Sequence, residues 1–77
     1  MASNINRESH PVVRLLRCRN TRRYFTGEGW SEDPEFAQLF PYEFGAVRAC
    51  VSNQLDNVEL VLRVGGSQTD IFCTQVR

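Results

Sequence analysis

The run from Tyr24 to Ala46 constrains this chain most, because turn-forming glycine and proline recur there at short intervals: Gly27-Glu28-Gly29, Asp33-Pro34, Phe40-Pro41 and Phe44-Gly45. Every aromatic residue of the protein except Phe72 falls within the run. Two glycines around one residue permit a sharp reversal, since glycine reaches positive φ without a Cβ clash. The residue before a proline is driven away from the helical region. Neither a long strand nor a long helix can pass through such a segment. It must leave a strand, turn at Gly27–Gly29 and enter helix beyond, with Trp30 expected to close the corner inside the core.

Ser31-Glu32-Asp33-Pro34-Glu35 carries the marks of a helix start. Asp33 suits the N-cap, Pro34 the first helical position, and the acids suit the positive end of the helix dipole. Phe36, Ala37 and Phe40 then fall at helical spacing. Pro41 ends or kinks this short helix and can open a second one. There Phe44, Val47, Val51 and Leu55 recur at i, i+3, i+7 and i+11, with Ala46 and Cys50 beside them, and this stripe is expected to face the core. Gly45 weakens the helix by about 1 kcal/mol relative to alanine and is expected to let it approach a sheet. Asp56-Asn57 is expected to end it.

The flanking segments read as strands. Pro11 to Arg19 alternates imperfectly, as in a bulged strand or one covered on both faces. Asn20-Thr21 suits a turn, with Arg22 to Thr26 returning. Val58 to Val64 is the cleanest strand: Val58, Leu60, Leu62 and Val64 share one face, and Glu59, Val61 and Arg63 the other. Gly65-Gly66-Ser67-Gln68 reads as a hairpin loop and Asp70 to Val76 as the last strand. The expected fold class is therefore α+β: two layers, an antiparallel sheet of about four strands in the order β-β-α-β-β, with one or two helices on one face.

Seventy-seven residues suit one domain, expected over residues 11–77, behind a polar leader at residues 1–10 expected to be poorly ordered. That leader has no apolar core of a signal peptide, and no stretch has the roughly 18 apolar residues of a membrane span. Cys18, Cys50 and Cys73 lie far apart within apolar patterns, and there is no CxxC. They read as free structural thiols in a reducing, cytoplasmic setting.

Net charge is zero but unevenly divided. Residues 1–27 carry six arginines and one acid, and residues 28–77 carry three arginines and eight acids, about +5 against −5. There is no lysine, so every side-chain cation other than His10 is a planar guanidinium. Arg14, Arg17, Arg19, Arg22 and Arg23 cluster in the first hairpin, with Tyr24 beside them for stacking. If several share a face they make a phosphate-binding patch. Alternatively they pair with the acidic half of the same chain, which the equal and opposite charges favour.

Other candidates are weaker. Gly27-Glu28-Gly29 lacks the lysine and spacing of a phosphate loop. The acids Glu28, Glu32, Asp33 and Glu35 have a sufficient role at a helix start. His10 is the only histidine, so no cysteine has a convincing base. No catalytic residue, metal ligand or cofactor site is expected. The strands Pro11–Arg19 and Asp70–Val76 are the expected sheet edges, where a partner protein or a second copy could pair.

Tyr24-Phe25-x-Gly27-x-Gly29-Trp30-Ser31-x-Asp33, followed by Ala37, Phe40 and Ala46 and then Val58-Glu59-Leu60-Val61, resembles a pattern in small phage and bacterial proteins of unassigned function. There Tyr-x-x-Gly-x-Gly-Trp-Thr leads through Ala-x-x-Phe into a helix and a strand. The match covers roughly Val13 to Arg63. Ser31 replaces threonine, while Phe36 and Pro41 depart from the pattern around the helix start. The resemblance implies a β-β-α-β domain and no activity. Together these features suggest a small non-enzymatic module for protein interaction or regulation, with the arginine hairpin its expected contact surface. Nucleic-acid binding through the arginine hairpin is the alternative.

Overall fold

The computed structural model describes residues 12–65 and 69–77. The leader expected at residues 1–10, and residues 66–68 of the expected hairpin loop, lie outside them. The elements are β1 (Val12–Cys18), β2 (Tyr24–Phe25), β3 (Trp30–Ser31), a single 3-10 turn (Pro34–Phe36), α1 (Glu43–Ser52), β4 (Val58–Val64) and β5 (Asp70–Gln75). They form one antiparallel five-stranded sheet, β3-β2-β1-β4-β5, with one α-helix. The α+β class stands, with one strand more than expected.

β1 and β4 join the two halves, in unbroken register from Val12↔Val64 to Cys18↔Val58. This makes β1 a central strand, not the edge expected for Pro11–Arg19. It also explains the imperfect alternation of β1, because both of its faces are covered. Leu16, Val58 and Leu60 pack with Phe25, Phe40, Ala46, Cys50 and Leu55 on the helix side. Leu15, Tyr24 and Val61 pack on the opposite side, with Ala37 against them. Leu16, Val58 and Val61 are fully buried, and burial of each contributes roughly 1.5–3 kcal/mol.

The turns follow local chemistry. In the β1–β2 loop the positive φ falls on Arg22, at 66°, instead of Asn20 or Thr21. Cys18 N–H donates to Arg23 O and Arg22 N–H to Cys18 O, closing the loop. The β2–β3 turn is Thr26-Gly27-Glu28-Gly29. Gly27 has φ 101°, and the Thr26 hydroxyl accepts from the N–H groups of Glu28 and Gly29. The glycine corner thus continues the sheet as a hairpin. Trp30 follows on the edge strand β3, its ring edge-on to Phe25 at 5.6 Å, and is exposed where a core position was expected.

Asp33 caps the 3-10 turn, accepting from Glu35 N–H, with Pro34 in the first turn. The turn does not grow into the expected first helix. Ala37 is extended, Gln38 N–H donates to Phe25 O, and Phe40 N–H donates to Arg14 O. Residues 37–40 are therefore tied to β2 at Phe25 and to β1 at Arg14, carrying Ala37 to one cluster and Phe40 to the other. Phe36 is left exposed. Proline five residues beyond Phe36 leaves too short a segment to propagate a helix.

α1 ends earlier than Asp56-Asn57, in a Schellman motif. Leu55 N–H donates to Cys50 O and Gln54 N–H to Val51 O, with Gln54 at φ 54°. Leu55 and Cys50 share the helix-side core, the apolar contact that accompanies this motif. The face of α1 that meets the sheet is Ala46 and Cys50, with Ala49 packed alongside. The expected core stripe Phe44, Val47 and Val51 points outward and is exposed; only Leu55, beyond the helix, is buried. A Cβ on Gly45 would meet the Phe40 ring at an ordinary 3.8 Å, so close approach does not require glycine there.

Three outcomes follow in urea unfolding at low protein concentration. Ala46→Leu overfills the helix–sheet contact and is expected to cost about 1–3 kcal/mol, whereas Phe44→Ala stays within about 0.5 kcal/mol of wild type. Gln54→Gly removes a side chain from the left-handed position and is expected to raise stability by about 0.5–1 kcal/mol.

Candidate functional site

The outer face of α1 carries large apolar side chains in solvent. Phe44, Val47 and Val51 recur at i, i+3 and i+7 and all stand in solvent, Phe44 at 69% exposure. A surface helix ordinarily turns its large apolar stripe inward and its charges outward. Here small residues set the buried face, and the larger side chains project away from it. The only charged residues of α1 are Glu43 and Arg48. The Arg48 guanidinium rests 5.7 Å from the Phe44 ring centre, at the rim of the stripe. Leu39 and the N-cap residue Tyr42, just before the helix, are exposed as well. Scattered exposed apolar residues are normal; here three large ones share one stripe of a single helix.

The arginine hairpin is divided by the sheet. Arg14 and Arg17 are an odd number of residues apart in β1, so they leave on opposite faces. Arg14 Nη1 donates to Pro41 O at 2.9 Å, and its Nε is buried without a hydrogen-bond partner. Arg17 is buried: its Nε donates to Glu59 at 2.7 Å and its Nη1 to Asp70 at 3.0 Å. Arg22 pairs with the same Glu59 carboxylate at 3.1 Å, and Arg23 approaches Glu32 at 3.5 Å across exposed surface. Arg19 is exposed in the loop. Tyr24 is buried, and its hydroxyl accepts from Arg63 Nη2 at 2.6 Å. Its ring lies 5.9 Å from the Arg17 guanidinium and 5.1 Å from that of Arg63. The six residues do not converge on one patch, and the Tyr24 ring is already engaged.

Arg63, absent from the sequence candidates, completes this group by donating from Nε to Asp70 at 2.7 Å. Its position opposite Asp70 comes from a bulge. Leu62 pairs with Phe72 but Arg63 pairs with Asp70, so Ile71 is the extra residue. Such an insertion re-aims a side chain, here the carboxylate. Burial works against both guanidinium charges, but the bonds from Arg17 to Glu59 and Asp70, and from Arg63 to Asp70 and Tyr24, hold them firmly protonated. Burial also opposes the Asp70 charge, yet bonds from Arg63 and Arg17 outweigh it and hold the carboxyl below its ordinary range.

The cysteines differ from one another. Cys50 is buried, and desolvation pushes its thiol up. Cys73 is exposed on the edge strand β5, its sulfur 3.4 Å from Arg17 Nη2. Cys18 is half-buried beside an open cleft of about 300 Å³ shared with Thr21, Arg23, Trp30 and Asp56, and a bond with the Thr21 side chain pulls its thiol down. Only Cys50 therefore has the buried role expected for all three. Among the described residues no three His, Cys, Asp or Glu side chains gather as a metal site, and no helix is long and apolar enough to cross a membrane.

The Asp70 bonds generate a pH prediction. A carboxyl held below its ordinary value of 3.8 contributes stability that is fully present above that value and lost as pH falls through the lower folded value. Urea unfolding from about pH 6 down to about pH 2 should show wild type losing stability in the acid limb. Asp70→Asn should start about 2 kcal/mol less stable and lose less in that limb. Parallel acid limbs would contradict this role for Asp70.

No family model matches the chain, and no curated protein or solved structure is found similar to it.

Proposed function

We propose that this protein is a small non-enzymatic interaction module of a reducing, cytoplasmic compartment that binds protein through the outer face of α1. One observation carries the reading: Phe44, Val47 and Val51 stand in solvent on a helix whose small residues face the sheet. Burial of such side chains contributes roughly 25 cal/mol per Å² of apolar surface, and a helix already folded on its sheet loses little entropy when it docks. The ion pairing of Arg17, Arg22 and Arg23 supports the same reading, because it leaves few guanidinium groups of the first hairpin for phosphate. Three free thiols accord with the compartment.

The test places the photo-crosslinker benzoylphenylalanine at Val51 or, as control, at Glu28, and irradiates cells producing the full chain. Protein adducts are expected from position 51 and not from 28, with loss of the adducts when Phe44→Asp is added. In parallel, labelled single- and double-stranded oligonucleotides are titrated at about 50 and about 200 mM salt against wild type and Arg19→Ala/Arg22→Ala/Arg23→Ala. No binding is expected. Tight binding at low salt that collapses at high salt and vanishes in the triple variant would replace the protein-contact reading with nucleic-acid binding. Absence of any adduct from position 51 would also sink the protein-contact reading.

A further inference from the structure

We infer that the occupant of this face is a second copy of the chain, its α1 lying beside the first in the same direction about a twofold axis along the helices. The inference rests on the reading of the outer face as a protein contact and names its partner. Phe44, Val47 and Val51 occupy the first, fourth and eighth places of a heptad stripe, the positions that form a helix–helix seam. Glu43 immediately precedes the first of these seam positions and Arg48 immediately follows the second, so they flank the seam on opposite sides.

That placement selects an orientation. In a parallel pair related by a twofold axis, each flank meets the opposite flank of the partner. A residue just before one seam position then faces the residue five places later on the other chain. Glu43 of each copy thus meets Arg48 of the other, giving two symmetric ion pairs. In an antiparallel pair like flanks meet, and Glu43 has no Arg48 opposite it. The Arg48 guanidinium already lies along the rim, against the Phe44 ring. The chain's zero net charge adds no general repulsion between copies.

Size sets the strength. The three apolar side chains with the stems of Glu43 and Arg48 offer on the order of 500 Å² per copy, less than the ~800 Å² per partner of a standard interface. A ten-residue helix pair would not hold together in isolation, but here each helix is ordered by its own sheet. The expected product is a weak dimer with a dissociation constant on the order of 10 μM.

Sedimentation equilibrium of the full chain over about 1 to 500 μM tests this. The mass is expected to rise from 8.9 kDa toward twice that value, and Phe44→Asp/Val51→Asp is expected to stay at 8.9 kDa. Glu43→Arg and Arg48→Glu each place like charges across the seam and should weaken association about tenfold. An equimolar mixture of those two variants restores both ion pairs and should recover wild-type association within about twofold. Circular dichroism and urea unfolding of each variant confirm that it is folded. A wild type monomeric throughout overturns the inference. So does a dimer indifferent to Phe44→Asp/Val51→Asp, or a mixture no tighter than its components. If the chain is monomeric but position 51 still captures a different protein, self-association fails while the interaction reading stands. If neither occurs, both fall.

Discussion

The fold depends on how the sheet face without a helix is closed. α1 covers one side, and among the described residues no helix covers the other, yet Leu15 and Val61 are buried there. Their cover is Tyr24 with Arg17 and Arg63, whose guanidinium groups lie near its ring and are held by Glu59 and Asp70. Arginine stems supply apolar cover while their heads need charge partners. A guanidinium this buried is tolerable only with those partners in place, because loss of one leaves an uncompensated charge. The bulge at Ile71 delivers Asp70 to that position. The lid thus joins β1, β2, β4 and β5 through side chains as well as backbone.

The same interaction accounts for the division of charge along the sequence. The basic β1 hairpin lies beside the acidic second half because β1 pairs with β4. Arg17 sits directly opposite Glu59, so the ion pair is a cross-strand neighbour, and Arg22 reaches the same carboxylate. Arg17 is therefore paired inside the molecule, while Arg22 and Arg23 pair with Glu59 and Glu32 at its surface. Exposed ion pairs contribute little to stability, whereas removing one partner of a buried pair leaves an uncompensated charge.

Much of the fold was legible where local chemistry decides it. The period of two in β4 placed its ends at Val58 and Val64 as observed. Asp33-Pro34 capped a turn, and Gly27, lacking a Cβ, took the positive φ of the hairpin corner. The opposed faces of Arg14 and Arg17 were also readable, from their odd separation alone. The face of α1 was not. Its pattern contains two stripes, one large (Phe44, Val47, Val51) and one small (Gly45, Ala46, Ala49, Cys50), and periodicity fixes their spacing without saying which is buried. That choice belongs to tertiary packing: bulk from Phe40 and Leu55 fills the core beneath the helix, leaving room for only small residues above it. Arg63 escaped notice because its role needs the bulge, a register event invisible in a single strand's pattern.

A helix with apolar residues on two sides is the arrangement of a middle layer. In this chain the sheet supplies one neighbouring layer, and the outer stripe of α1 meets solvent. The two sides of the molecule are thus closed by opposite means. On the helix-free face the ion pairs of Arg17 and Arg63 with Glu59 and Asp70 lie beside Tyr24. On the helix face the small residues meet the sheet and the stripe meets solvent, with Glu43 and Arg48 on either side of it. Apolar burial supplies attraction without direction, whereas the two charges supply direction with little attraction. In the proposed pairing the stripe would supply the attraction and Glu43 and Arg48 the orientation.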